Sequence, residues 1–144
     1  MSTTNDPIAC WDDIMARIRL VPELVDKTEP VLSEQDLLAI LKGAKFPMAG
    51  VIYAGINATG GDPSRQGMAS EFTCTILLIV QGGLVGSTAD TAEAVRLLRL
   101  MREQIRLTSA PGGHKWRFVR EAPAGVIGNA VIYKQTWSTV LILT

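Results

Sequence analysis

The sequence predicts an α+β fold: a mostly antiparallel four-stranded sheet made of two hairpins, with helices packed on one face, in the order α-α-β-β-α-β-β. Three observations carry this expectation. The chain has 144 residues, which suits a single domain over 1–144, since two cores of about 70 residues each would sit near the lower limit for unstapled domains. Hydrophobic residues make up 47% and charged residues 19%, enough to bury a sizeable core. The apolar period also switches between helical and alternating along the chain. Strands and helices do not alternate one by one, as a doubly wound sheet requires.

The first helix is marked by Asn5-Asp6-Pro7, an N-cap candidate followed by proline where a missing N–H costs nothing. Ile8, Trp11, Ile14, Met15 and Ile18 recur at helical spacing up to Pro22, and Glu23 to Pro30 reads as a connector. Ser33 with Asp36 resembles a capping box for a second, short helix over Glu34 to Lys42, stopped by Gly43. Pro47 to Ile56 is small and β-branched and predicts a strand. Asn57 to Gly67 is dense in turn formers and predicts an exposed loop. Glu71 to Val80 alternates and then turns solidly apolar, as a central strand covered on both faces does. Ser87 or Thr88 caps the longest helix, Ala89 to about Leu107, with acidic residues near its start and arginines near its end. A short strand, Lys115 to Glu121, a flexible tip, Ala122 to Gly128, and a long strand, Asn129 to Leu143, complete the order.

Composition excludes several chemistries. Fourteen basic residues balance fourteen acidic ones, so there is no general electrostatic case for nucleic acid or anionic lipid. The single histidine, His114, excludes a His-rich metal site, and its Gly-rich surroundings read as a surface loop. Cys10 and Cys74 offer neither a disulfide framework nor a Cys-x-x-Cys knuckle, and both read as small core fillers. The first twenty residues hold three aspartates and lack a basic start followed by an apolar run, which predicts no signal peptide. The purely apolar run Ile76 to Val80 is far short of the roughly 20 residues that cross a bilayer. A reducing cytoplasm is the simplest compartment.

No catalytic pattern emerges. The loop Thr59 to Gly67 has no lysine after its glycine and leads into a strand, so it is not a P-loop; Gly82, Gly83 and Gly86 lack the dinucleotide spacing. Asp12 and Asp13 point about 100° apart on a helix and read as a solvated face. The chain is expected not to be an enzyme and to need no cofactor or metal.

Two features point instead to association. Arg96, Arg99, Arg102 and Arg106 form a ridge at three- and four-residue steps, either a solvated helix side or a subunit-interface stripe. Residues 1–80 hold 6 basic and 10 acidic side chains and residues 81–144 hold 8 and 4, a split that suits head-to-tail contact between identical copies. Val131 to Leu143 has Lys134 as its one charge and needs a covering partner if it is an edge, or none if it is internal.

An opening amphipathic helix, a loop-tipped hairpin ending in Glu71 to Val80, a long helix, and a last run containing Trp137-Ser138-Thr139-Val140-Leu141-Ile142 together resemble the tail terminator and tail completion proteins of long-tailed bacteriophages. These are of the lambda type, with Mu-like phage tail proteins of similar size. The resemblance covers nearly the whole chain and is one of element order and length. It implies a structural virion protein that forms a ring, commonly a hexamer, capping the head-proximal end of the tail tube. There it would end tube polymerisation and join the tail to neck or head-completion proteins. It implies assembly in the host cytoplasm and residence at the head–tail junction, with no membrane and no direct nucleic-acid recognition. Asp62, Ser64, Arg65 and Gln66 of the long hairpin tip would contact a partner, and the arginine ridge would contact a neighbouring subunit. The alternatives are another head–tail joining or minor tail protein, or, in a different class, a small-ligand-binding α+β module.

Overall fold

The computed structural model describes residues 5–33, 36, 39, 46–58, 68–82 and 88–143. Helix α1, Pro7–Ile18, begins as expected: extended Asp6 precedes it, and the aspartate side chain accepts the Ile8 N–H at 3.0 Å. Cys10, Ile14, Met15 and Ile18 form its buried side. A 3₁₀ turn, Pro22–Leu24, follows and buries Leu24.

The sheet corrects the sequence expectation. It is five-stranded and mixed, not four-stranded and antiparallel. The additional strand, β1 (Thr28–Val31), lies where a connector was expected. It runs parallel to β2 (Met48–Ala58), with Thr28 opposite Ala49 and Val31 opposite Ile52. Four residues that include Pro30 and bury only Thr28 and Val31 carry no alternating signal. Proline is tolerated there because β1 is an edge, where an N–H is dispensable. The Thr28 hydroxyl donates to the Leu24 carbonyl at 2.8 Å, and Arg19 donates to the Thr28 carbonyl at 3.0 Å, which fixes β1 to the end of the α1 segment. Of the expected second helix only Asp36 and Ala39 are among the described residues, and both are helical; the rest lies outside them.

β2 pairs antiparallel with β3 (Met68–Gln81), with a bulge between Tyr53 and Gly55. Asn57 and Ala58, expected in the loop, continue β2, and residues 59–67 lie outside the described residues. β3 pairs on its other side with β5 (Ala130–Leu143) along its whole length, and β5 pairs with β4 (Arg117–Ile127), giving the order β1-β2-β3-β5-β4. The last apolar run is therefore internal and needs no partner for its edges. The flexible tip expected over Ala122 to Gly128 is mostly strand. The turn is the two residues Gly128-Asn129, with Gly128 at φ 60°, as a tight hairpin demands.

Helix α2, Thr88–Ile105, packs beside α1 on one face of the sheet. Between helices and sheet lies the main core. It holds Ile14, Ile18, Leu97, Leu98, Met101 and Ile105 from the helical layer, and Phe72, Cys74, Ile76, Leu78, Trp137 and Leu141 from the strands. Side chains alternate along a strand, so Leu77 and Ile79 point to the opposite face. There they form a second cluster with Met48, Ala130 and Ile132, against which Phe46 and Ile52 pack. After Ile105 the chain leaves α2 through Leu107, the one non-glycine residue at positive φ (63°) among the described residues. Thr108 and Trp116 then pair by backbone on the way to β4.

The parallel edge depends on a missing side chain. A Cβ on Gly50 would lie 2.7 Å from Cγ2 of Val31, closer than real contacts allow. Gly50→Ala is expected to destabilise the protein by about 1–3 kcal/mol through overpacking. In a double-mutant cycle much of this cost should vanish in a Val31→Ala background, measured by urea unfolding. Full additivity would show that β1 does not sit against Gly50.

Candidate functional site

The arginines of α2 do not act as one stripe. Arg96 makes two hydrogen bonds to Glu93, at 2.7 and 3.0 Å, and lies 3.5 Å from Glu23. Hydrogen bonding from this guanidinium holds the Glu93 carboxyl below its ordinary range. Arg102 turns inward and donates to Glu121 of β4. Arg99 and Arg106 point to solvent; Arg99 has only Glu103 of its own helix, at 3.9 Å, and Arg106 has no ion pair among the described residues.

Arg102 is held by a buried polar relay. Gln135, fully buried, donates from Nε2 to the Leu98 carbonyl at 3.1 Å and to Glu121 Oε1 at 2.8 Å. Its Oε1 accepts the Trp137 Nε1–H at 2.7 Å. The Gln135 amide and the Trp137 indole N–H therefore both have partners, which is what buried polar groups require. Phe118 packs edge-on against Trp137, with ring centroids 5.4 Å apart. Above this floor is an open cleft of about 460 Å³, lined by Arg99, Arg102, Glu103, Arg106, Phe118 and Trp137. A smaller groove of about 290 Å³ lies between Pro7, Ile8, Trp11 and Tyr53 at the start of α1.

The other candidates resolve simply. Asp62, Ser64, Arg65 and Gln66 lie outside the described residues. His114 is exposed in the turn before β4. Asp12 is exposed, whereas Asp13 accepts from Arg17 Nε at 3.0 Å and from Trp116 Nε1 at 2.9 Å, tying α1 to the start of β4. The two carboxylates thus diverge. Among the described residues no three His, Cys, Asp or Glu side chains gather to hold a metal, and no helix is long and apolar enough to cross a membrane.

The charge split is partly neutralised inside one chain. Glu23 meets Arg96, and Glu71 meets Arg117 at 2.9 Å, each an acid of the first 80 residues with a base of the remainder. Head-to-tail contact is therefore not required to bring the two charge regions together.

Sequence reasoning missed Phe118, Glu121, Gln135 and Trp137 as parts of one site. A signal was present: Val131, Tyr133, Gln135 and Trp137 share the inward parity of β5, and a glutamine in that row needs buried partners. No known protein-family model matches the chain, and no curated protein matches it in sequence.

Two outcomes follow from this chemistry. Gln135→Leu keeps the volume but strands the Trp137 indole N–H, whose partner is Gln135 Oε1. It is expected to cost about 1–3 kcal/mol in denaturant unfolding, and a variant as stable as the parent would show that the relay contributes nothing. Burial pushes the Cys10 thiol up to about 11, and burial followed by the nearby Cys10 pushes Cys74 higher still. Both thiols are stabilised as neutral groups. Their contribution is complete below their ordinary value of 9.0 and declines as pH rises beyond it. Native protein at pH 8 should react with an aromatic disulfide reagent only as fast as it unfolds; a rapid burst from either thiol would contradict this placement.

Proposed function

We propose that the chain is a structural subunit of a ring that caps the head-proximal end of a phage tail tube, ends tube polymerisation and joins the tail to neck proteins. The carrying observation is β4. This edge strand is exposed along its length, with Phe118 45%, Val119 50%, Val126 64% and Ile127 38% accessible. Register puts Phe118 and Val126 on the helix side of the sheet, opposite Trp137 and Val131, and Ile127 on the other side, opposite Ala130. A neighbour that wraps this edge would cover apolar surface on both faces, a gain of up to about 1.5–3 kcal/mol for each side chain fully covered.

The strand is also poorly suited to uncontrolled strand addition. It carries Arg117, Arg120 and Pro123, and its register breaks at Phe118/Arg120 and again at Pro123/Gly125. Bulges, charge and proline are the devices that prevent edge-to-edge aggregation. Contact through side chains is left available, which suits a closed ring better than an open fibre. Asp13 and Arg102 are both engaged in internal bonds that hold the fold together.

Light scattering tests the reading. The protein alone is expected to run near six times the 15.5 kDa of one chain, or to bind tail tubes when these are added. Val126→Glu, on an already exposed side chain, should return it to the mass of a single chain with unchanged circular dichroism. A parent protein that stays at the mass of one chain and does not bind tail tubes would overturn the proposal.

A further inference from the structure

We infer that the cleft between the C-terminal half of α2 and β4 binds an extended acidic segment of a partner protein. The inference does not depend on the ring: it rests on the arginine wall of the cleft, and Phe118 is the one cleft side chain that the ring reading also uses.

The cleft combines two kinds of surface. Its floor is aromatic, Phe118 resting on the buried Trp137, and its wall is cationic, formed by Arg99, Arg102 and Arg106. One of these cations already holds a carboxylate, because Arg102 is bonded to Glu121 and Glu121 to Gln135. That relay locks Arg102 in place and leaves Arg99 and Arg106 on either side of it. Glu103 is the one acidic side chain lining the cleft, against three arginines. Glu121 satisfies Arg102, and Glu103 at 3.9 Å only weakly engages Arg99. A net positive charge therefore remains at the mouth.

Spacing sets the length of the occupant. Arg99 and Arg106 are seven residues apart on a helix that rises about 1.5 Å per residue, so their Cα atoms are separated by about 10.5 Å along the axis. An extended chain places every second side chain about 6.6 Å apart on one side. Two carboxylates in alternate positions therefore fall between the two solvent-facing guanidiniums, each within reach of one long arginine side chain. Guanidinium groups bind carboxylates through paired, charge-assisted hydrogen bonds. An apolar side chain flanking the carboxylates would cover the exposed half of Phe118. A small anion would leave this aromatic floor open, and a purely apolar ligand would leave the cations unpaired.

The test uses a fluorescein-labelled octapeptide, Glu-Leu-Glu-Ala-Glu-Leu-Glu-Ala, and the same peptide with glutamine for every glutamate, titrated with the full chain and read by anisotropy. The acidic peptide is expected to bind, to weaken several-fold as ionic strength rises, and to bind the Arg99→Gln/Arg106→Gln variant about tenfold more weakly or worse. Neither arginine holds another element among the described residues, so the variant should fold; circular dichroism and the unfolding midpoint check this. Arg117→Gln, on the opposite face of β4, should leave binding unchanged. Equal binding of the glutamine peptide, or indifference to Arg99 and Arg106, overturns the inference. Failure of the acidic peptide to bind overturns it too, and a double variant that also changes the mass of the protein alone would make a second copy the occupant. Val126 does not line the cleft, so Val126→Glu reports on the ring and the peptide titration on the cleft, and the two proposals fail separately.

Discussion

A strand whose residues Ile76 to Val80 are all apolar has to be covered on both faces and paired on both edges, and the molecule is arranged around that requirement. β3 receives β2 on one side and β5 on the other over nearly its full length. One face lies under α1 and α2; the other carries Leu77 and Ile79 into a second cluster with Met48, Ala130 and Ile132. Once β3 is central, β5 must be internal too, and the exposed edges pass to the two strands least able to propagate a sheet. One is four residues long and contains proline, and the other is bulged and charged.

The same placement builds the cleft. Because β5 is internal, its inward row can hold a fully buried glutamine, and that glutamine joins an indole, a helix carbonyl and a carboxylate in a single relay. The carboxylate then draws in Arg102, while its neighbours on the helix surface stay outside. A row of arginines that looks uniform in one dimension is thus divided by the third. Arg96 serves Glu93 and Glu23, Arg102 serves β4, and Arg99 and Arg106 are left at the surface.

Much of the fold was legible in the chain, for identifiable reasons. Asp6-Pro7 marked α1, the apolar stripe marked α2, and the change from alternation to a continuous apolar run marked β3 as central. What escaped was what local pattern cannot encode. β1 has too few residues and no alternation, and its pairing to β2 depends on the close approach over Gly50. The length of β4 escaped because Ala122, Pro123, Ala124 and Gly125 are weak strand formers, held in register by β5 and a two-residue turn. Of the site, the arginines were visible and their partners were not. The bond between Arg102 and Glu121 joins residues 19 apart in sequence, and only the antiparallel return of β4 and β5 behind α2 brings them together.

Leu107 shows where α2 takes its ending from. Left-handed backbone costs a branched or bulky L-residue about 1–2 kcal/mol, and glycine is the usual occupant at such a helix stop. Here a leucine accepts that conformation, 68% exposed and so with little packing to offset it. The compensation comes from beyond the helix: Thr108 donates to the Ile105 carbonyl, Trp116 donates by backbone to Thr108, and the Trp116 indole is anchored on Asp13. The stop is therefore held in part by contacts from outside the helix, through Trp116 and Asp13. Through it α1, the turn before β4 and the last turn of α2 are joined by one run of hydrogen bonds, from Asp13 through Trp116 and Thr108 to Ile105. Asp13 on α1 is thus connected to the residue next to Arg106, at the mouth of the cleft, through backbone and side chains outside α2.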